Sequence, residues 1–280
     1  EYLSKNGFSK KLIDSFFRPM LAANIFDYNL QSSSRFSKLY LKSLFQDHVA
    51  LPKNGIGSIA EKIVEQLDEN TVLYKSKVKR ITDNGVELLN GEFMESKFVL
   101  IATNAIHANA IIGKNEMPAE CSHVSTLYFS TEQAPLSKPV VMLNGDNGTT
   151  LVNHVFVPTL LHSEYAPSGK HLVAVSVVKE HDLDDEELEA KCLTELSEWF
   201  GLKVMDWKHL KTYHIKYAMP FKPIVDEIEF TKKISSNIYA CGDSLSVGSM
   251  ESALRSGRES ADIIACEFLN KYNAKHDLVH

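Results

Sequence analysis

Several things are missing from this sequence, and each absence narrows what the protein does. No two of its four cysteines (Cys121, Cys192, Cys241 and Cys266) stand at CxxC spacing, so neither a zinc knuckle nor a thioredoxin-like pair is available. Scattered, unpaired cysteines suit a reducing compartment, and a cytoplasmic location is expected. Eleven histidines are present, but none forms HExxH or another tight ligand pair, and no metal is expected. The chain has no run of about 18 apolar residues, which excludes a membrane-spanning helix. It opens EYLSKNGFSK, with neither an initiator Met nor a signal-peptide pattern, and this beginning reads as a cut into something longer. Excess positive charge is lacking too: a formal net charge of −6 argues against a nucleic-acid partner, which needs a basic face.

What is present is an ordinary globular composition, 44% hydrophobic and 24% charged over 280 residues, enough for one large domain or two modest ones. The spacing predicts a helix from Ser9 to Met20, capped by Ser9, with Leu12, Ile13, Phe16 and Phe17 on one face and Pro19 limiting its continuation. A second helix is expected from Ser34 to Phe45. The stretch LPKNGIGSIAEKIVEQLDEN reads as a glycine turn feeding a helix that turns Ile59, Ile63, Val64 and Leu67 inward. From Thr71 the period changes to two, and TVLY, KVKRI, GVELL, EFMES and KFVLIAT are strand candidates. Asp83-Asn84-Gly85 and Asn90-Gly91 between them are tight-hairpin signals, because Gly and Asn accept positive φ. The apolar run FVLIA is expected to be a strand buried on both faces.

Between Asn104 and Ser235 the pattern gives four strands (HVSTLYFS, VVML, TLVNHVFV and HLVAVSVV), then a marked helix, DLDDEELEAKCLTELSEWFG. Asp184 to Glu187 suit the positive end of that helix and Gly201 its stop. A further strand runs through KVMDWKHLKTYHIKYAMP. The end is strand NIYAC, loop GDSLSVGS and a long helix.

This last unit carries the chemistry. A buried strand ending in Gly242-Asp243 lets a ligand approach the backbone closely, and Asp243 is placed to accept hydrogen bonds from sugar-type hydroxyls. The loop through Ser246, Gly248 and Ser249 delivers a helix N-terminus at about Met250, with free N–H groups and partial positive charge. The bland alternative is that Asp243 or Ser249 merely caps the helix.

Over its whole length, IYACGDSLSVGSMESALRSGRESADII resembles the closing FAD-binding motif of flavin amine oxidases, protoporphyrinogen oxidases and phytoene desaturases. The matching residues are Gly242, Asp243, Ser249, Met250, Glu251, Ala253, Ser256, Gly257 and Arg258. Ser252 stands where that family usually has Gly. Upstream, LPKNGIGS resembles the family's Leu-Pro-x-Gly-Gly-Met stretch. KVKRI resembles the strand whose Val backbone meets the FAD adenine, which implies that role for Val78. KFVLIATNA resembles the strand ending in Ala-Thr that closes a split FAD domain. GFSKKLIDSFFRPMLAANIF resembles the helical region that precedes the Leu-Pro motif.

Gly55 to Ala60 spells GxGxxA before a helix, but Pro52 in the preceding polar segment and Lys75 at the end of TVLY spoil the dinucleotide context. No other GxGxxG exists among the 13 glycines. The expectation is a chain truncated of, or lacking, the first βαβ unit, and one that binds FAD poorly alone.

The resemblance implies an α/β protein: part of a split FAD/NAD(P)-binding Rossmann-like domain plus a mixed-sheet α+β substrate domain. The expected segments are 1–50 (helical part of the substrate domain), 51–103 (FAD-binding), 104–234 (substrate domain) and 235–280 (C-terminal FAD-binding). The expected cofactor is FAD, held by Val78, Gly242, Asp243, Ser249, Met250, Glu251 and Ala253. The expected reaction is oxidation of a C–N or C–C bond in a small or lipid-like substrate. Flavin chemistry asks little of side chains, and no catalytic residue is assigned. Tyr217 or His214 facing substrate, and Phe16, Phe17, Phe26 and Tyr28 lining an apolar tunnel, stand beside the alternative that they pack. Peripheral membrane contact remains an open alternative among partners. The rival from another class is a binding or scaffold protein that keeps the fold without a working flavin site.

Overall fold

The computed structural model describes residues 2–46, 49–146, 148–221 and 229–276. The chain forms two compact units, one from Glu1–Glu69 with Ser122–Ala218, the other from Asn70–Cys121 with Met219–His280. Residues 51–69 lie in the first unit and residues 70–103 in the second.

Helices α1 (Tyr2–Lys5) and α2 (Lys10–Leu12) open the chain. The Ser9 hydroxyl caps α2 by accepting from the Leu12 N–H at 3.2 Å. Pro19 does not stop this run. A π-type turn over Ile13–Phe17, in which the Arg18 N–H reaches back to the Ile13 carbonyl, leads into α3 (Arg18–Ile25), whose first turn holds Pro19. There its missing N–H costs little. Ile13, Met20, Leu21, Ala22 and Ile25 are buried, whereas Leu12 and Phe16 stay exposed, so only part of the apolar stripe faces the core. Next come α4 (Ser34–Gln46) and α5 (Gly57–Val64). On α5 and just beyond it, Ile63 and Leu67 are exposed rather than inward.

Residues 71–74 form turns and loop, not the strand their composition suggested; Asn70 and Lys75, at φ 68° and 60°, bracket them in left-handed conformations. Strands β1 (Val78–Thr82), β2 (Gly85–Leu88) and β3 (Phe93–Glu95) make an antiparallel meander. Thr82 pairs with Gly85, so Asp83-Asn84 is the two-residue turn. Strand β4 (Val99–Ile101) buries only Ile101 fully. It lies at the edge of a three-stranded sheet, which is why burial on both faces is not met. Helix α6 (Ala105–Ile112) follows, N-capped by Asn104, which accepts from the His107 N–H.

In the first unit, β5 (Cys121–Thr131), β6 (Met142–Leu143), β7 (Val152–Phe156), β8 (His171–Val177) and, after α7 (Asp185–Phe200), β9 (Lys208–Pro220) form a sheet ordered β6-β7-β8-β5-β9. Alternation puts Leu127, Phe129, Val173, Val175 and Val177 on the face that meets Leu188, Cys192 and Leu196 of α7. Each of these leucines contributes about 1.5–3 kcal/mol by burial. The Glu195 carboxylate accepts from the N–H groups of Leu151 and Val152 at 2.8 and 2.9 Å, which fixes α7 to β7. Asp184 caps the helix by accepting from the Glu187 N–H. The opposite sheet face, with Val124 and Val178, receives Ala22 of α3.

The second unit is completed by β10 (Thr231–Lys233), β11 (Ile238–Cys241) and α8 (Met250–His276). Strand β11 runs parallel to β4, pairing Ile238, Tyr239 and Ala240 with Val99, Leu100 and Ile101, and antiparallel to β10. This parallel pair with α6 and α8 is the Rossmann-like element of the fold. No described helix is long and apolar enough to cross a membrane.

Candidate functional site

The site grows from the carboxyl end of β11, where open α/β sheets place their ligands. Gly242 sits at φ 135°, a conformation that side chains rarely adopt. A Cβ there would meet no atom within 4 Å, so the residue is glycine for its backbone and leaves open space beside it. Its N–H donates to Ser256 Oγ at 2.8 Å, and Ser256 in turn donates to the Phe230 carbonyl. Asp243 begins a single 3-10 turn, Asp243–Leu245.

The loop is held tightly. A Cβ on Gly248 would fall 2.5 Å from Met219 Cγ and 3.1 Å from Pro220 Cδ, so only glycine lets the loop pass the end of β9. Ser246 is 1% exposed, and its buried Oγ has no hydrogen-bond partner among the described residues.

Ser249 is the helix cap. Its Oγ accepts from the Ser252 N–H at 3.1 Å and its carbonyl from the Ala253 N–H at 3.0 Å. Asp243 lies in the preceding 3-10 turn and is not the cap of α8. Met250, Glu251 and Ala253 are exposed around the start of α8. Ser252, Ser256 and Ser260 are buried at four-residue spacing, and this small-residue stripe lets α8 approach the sheet closely. Ser260 meets Thr231 at 2.7 Å. Burial pushes the neighbouring Cys241 thiol above its ordinary pKa, which leaves it inert.

Six of the seven expected cofactor residues therefore fall together between Gly242 and Ala253. Val78 opens β1, in the other sheet of the same unit. The role of the buried Ser252–Ser256–Ser260 stripe was not read from sequence, although its four-residue spacing was visible.

The other candidates stand elsewhere. His214 is exposed and held in a relay: its Nε2 donates to Asp185 Oδ1 at 2.6 Å, its Nδ1 meets Ser125 Oγ at 2.9 Å, and Ser125 Oγ meets His181 Nε2 at 3.0 Å. Tyr217 is exposed. Tyr28 lies under Arg18 and Lys179, at 5.6 and 4.8 Å. Phe17 stacks edge-on with Phe8 and Phe16. Gly55–Ala60 follows loop rather than strand, so it is no dinucleotide turn. Leu51 and Pro52 instead give their carbonyls to His162 and Tyr165. No group of three or more metal-ligating side chains occurs among the described residues.

Residues 1–265 match the family of flavin containing amine oxidoreductases, and the chain belongs to it. No curated protein matches by sequence. Among solved structures, the PF1083 protein from Pyrococcus furiosus superposes with a TM-score of 0.72 at 11% identity, over 94% of this chain and 66% of its own. A putative protoporphyrinogen oxidase from Exiguobacterium gives 0.65 at 14% identity, over 91% and 64%. Cyclohexylamine oxidase from Brevibacterium oxydans gives 0.63 at 14%, over 95% and 67%. At such identities the likeness is one of fold. The chain spans 66% of the length of the first of these relatives.

Proposed function

We propose that this chain is the larger part of an FAD-dependent oxidoreductase that oxidises a C–N or C–C bond of a small or lipid-like substrate. The observation that carries this reading is Gly242, held in a glycine-only conformation beside open space and leading to the Ser249-capped start of α8. A bound flavin supplies the electron acceptor; what the chain supplies is binding and orientation. Asp243 accepts hydrogen bonds from ribityl hydroxyls. The first-turn N–H groups of α8, at Met250 and Glu251, favour electron-rich oxygen at the helix end. The Val78 backbone faces the adenine, and Ala253 keeps the approach clear.

The reading is tested by adding FAD to the 280-residue chain and to a form extended to the length of the relatives. Visible flavin absorption retained after gel filtration by the extended form supports it. In that form Asp243→Ala should lower the flavin bound per folded chain. A colourless extended protein rejects it.

A further inference from the structure

The opening helices carry a charge opposite in sign to the chain's total. Between residues 1 and 47 seven basic side chains face four acidic ones, a balance of +3 in a chain whose total is −6. Asp14 and Asp27, the two acids among the described residues of this stretch, are each held by partners. Asp14 takes both Lys10 and Arg18, at 2.5 and 3.0 Å, with its side chain 15% exposed. Asp27 is 6% exposed and accepts from the Ser32 N–H. Lys11, Lys38 and Lys42 are exposed, with Lys10 beside its partner.

Apolar groups are interleaved with these cations. Phe8, Leu12 and Phe16 follow at four-residue spacing, 39%, 41% and 44% exposed, and Leu39 of α4 is 55% exposed. Lys38 Nζ lies 4.1 Å over the Tyr2 ring, which brings α1 and α4 side by side. We infer that this helical surface docks on an anionic phospholipid bilayer, its lysines against the headgroups and Phe8, Leu12, Phe16 and Leu39 in the interface. Cationic helices with exposed Phe and Leu bind in that way. A nucleic acid would use the lysines but gains nothing from exposed Leu and Phe. The inference is independent of the flavin reading.

The test is sedimentation of the 280-residue chain with vesicles of phosphatidylcholine, alone or mixed with phosphatidylserine. Binding should require phosphatidylserine and vanish in about 1 M salt, where the screening length is about 3 Å. Lys11→Gln and Lys42→Gln should each weaken partition about fivefold, and Leu12→Ser with Phe16→Ser should weaken it with the fold kept, as circular dichroism reports. Equal binding to neutral vesicles, no binding, or indifference to the lysine changes overturns the inference. So does a lipid-free dimer that Leu12→Ser dissolves, because the face would then belong to a second copy.

Discussion

The backbone N–H of Gly242 donates to the hydroxyl of Ser256 at 2.8 Å, joining the end of β11 to the second turn of α8. Ser256 is fully buried and passes its own proton to the Phe230 carbonyl. Ser256→Ala should therefore leave an N–H and a carbonyl unpaired and cost about 1–3 kcal/mol in urea unfolding. Ser256→Thr, if its methyl is tolerated, should recover part of that. An unchanged midpoint for the Ala variant would show that water replaces the hydroxyl.

Gly242→Ala should be costly for a different reason. No neighbour blocks the new methyl, so the loss, about 1–3 kcal/mol, is backbone strain. Gly248→Ala should be costly through contact with Met219 and Pro220, and the added Met219→Ala change should relieve it. Unfolding of the single and double variants separates the two mechanisms, since no trimmed neighbour rescues Gly242→Ala.

Burial pushes the His154 imidazole down to about 4 from 6.5, although an edge of the residue reaches solvent. Between these values the unfolded chain binds the extra proton and the folded chain does not. Stability is therefore full above pH 6.5 and falls as the pH drops toward 4, by up to about 3 kcal/mol. His154→Asn should flatten this part of a thermal-melt profile against pH; an undiminished slope would assign it to other groups.

Much of the fold was legible because the pattern was local. Hairpin turns at Asp83-Asn84-Gly85, the Asp184 cap and the Leu188, Cys192, Leu196 stripe are each written within a few residues. What failed depended on partners far along the chain. TVLY has a strand's composition but no strand beside it. Pro19 reads as a stop until the π-type turn ahead of it is seen. Leu12, Phe16 and Ile63 show the right period, yet periodicity marks an apolar face without saying what covers it. α6 was missed because AIHANAII shows no clean stripe, and its buried Asn109 is stabilised by Met117, which accepts and donates from the next loop. At the candidate site the motif was visible. That Ser249, and not Asp243, caps α8 needed coordinates.

The relay from Asp185 through His214 and Ser125 to His181 joins the start of α7, β9, β5 and the segment before α7. Ser125→Ala should cost about 1–2 kcal/mol. In a double-mutant cycle with His214→Ala, the two losses should overlap by at least about 0.5 kcal/mol. Strict additivity would show that the histidines are held by packing alone.

The parallel pairing of β4 with β11 has a consequence for biosynthesis. Ile101 pairs with Ala240, and the whole of 122–218, which belongs to the other unit, emerges from the ribosome between them. At roughly 5–20 residues per second, β4 waits on the order of ten seconds for this neighbour. A nascent chain stalled before residue 238 therefore carries an apolar strand whose β11 partner has not been made, and there a chaperone has the most to protect.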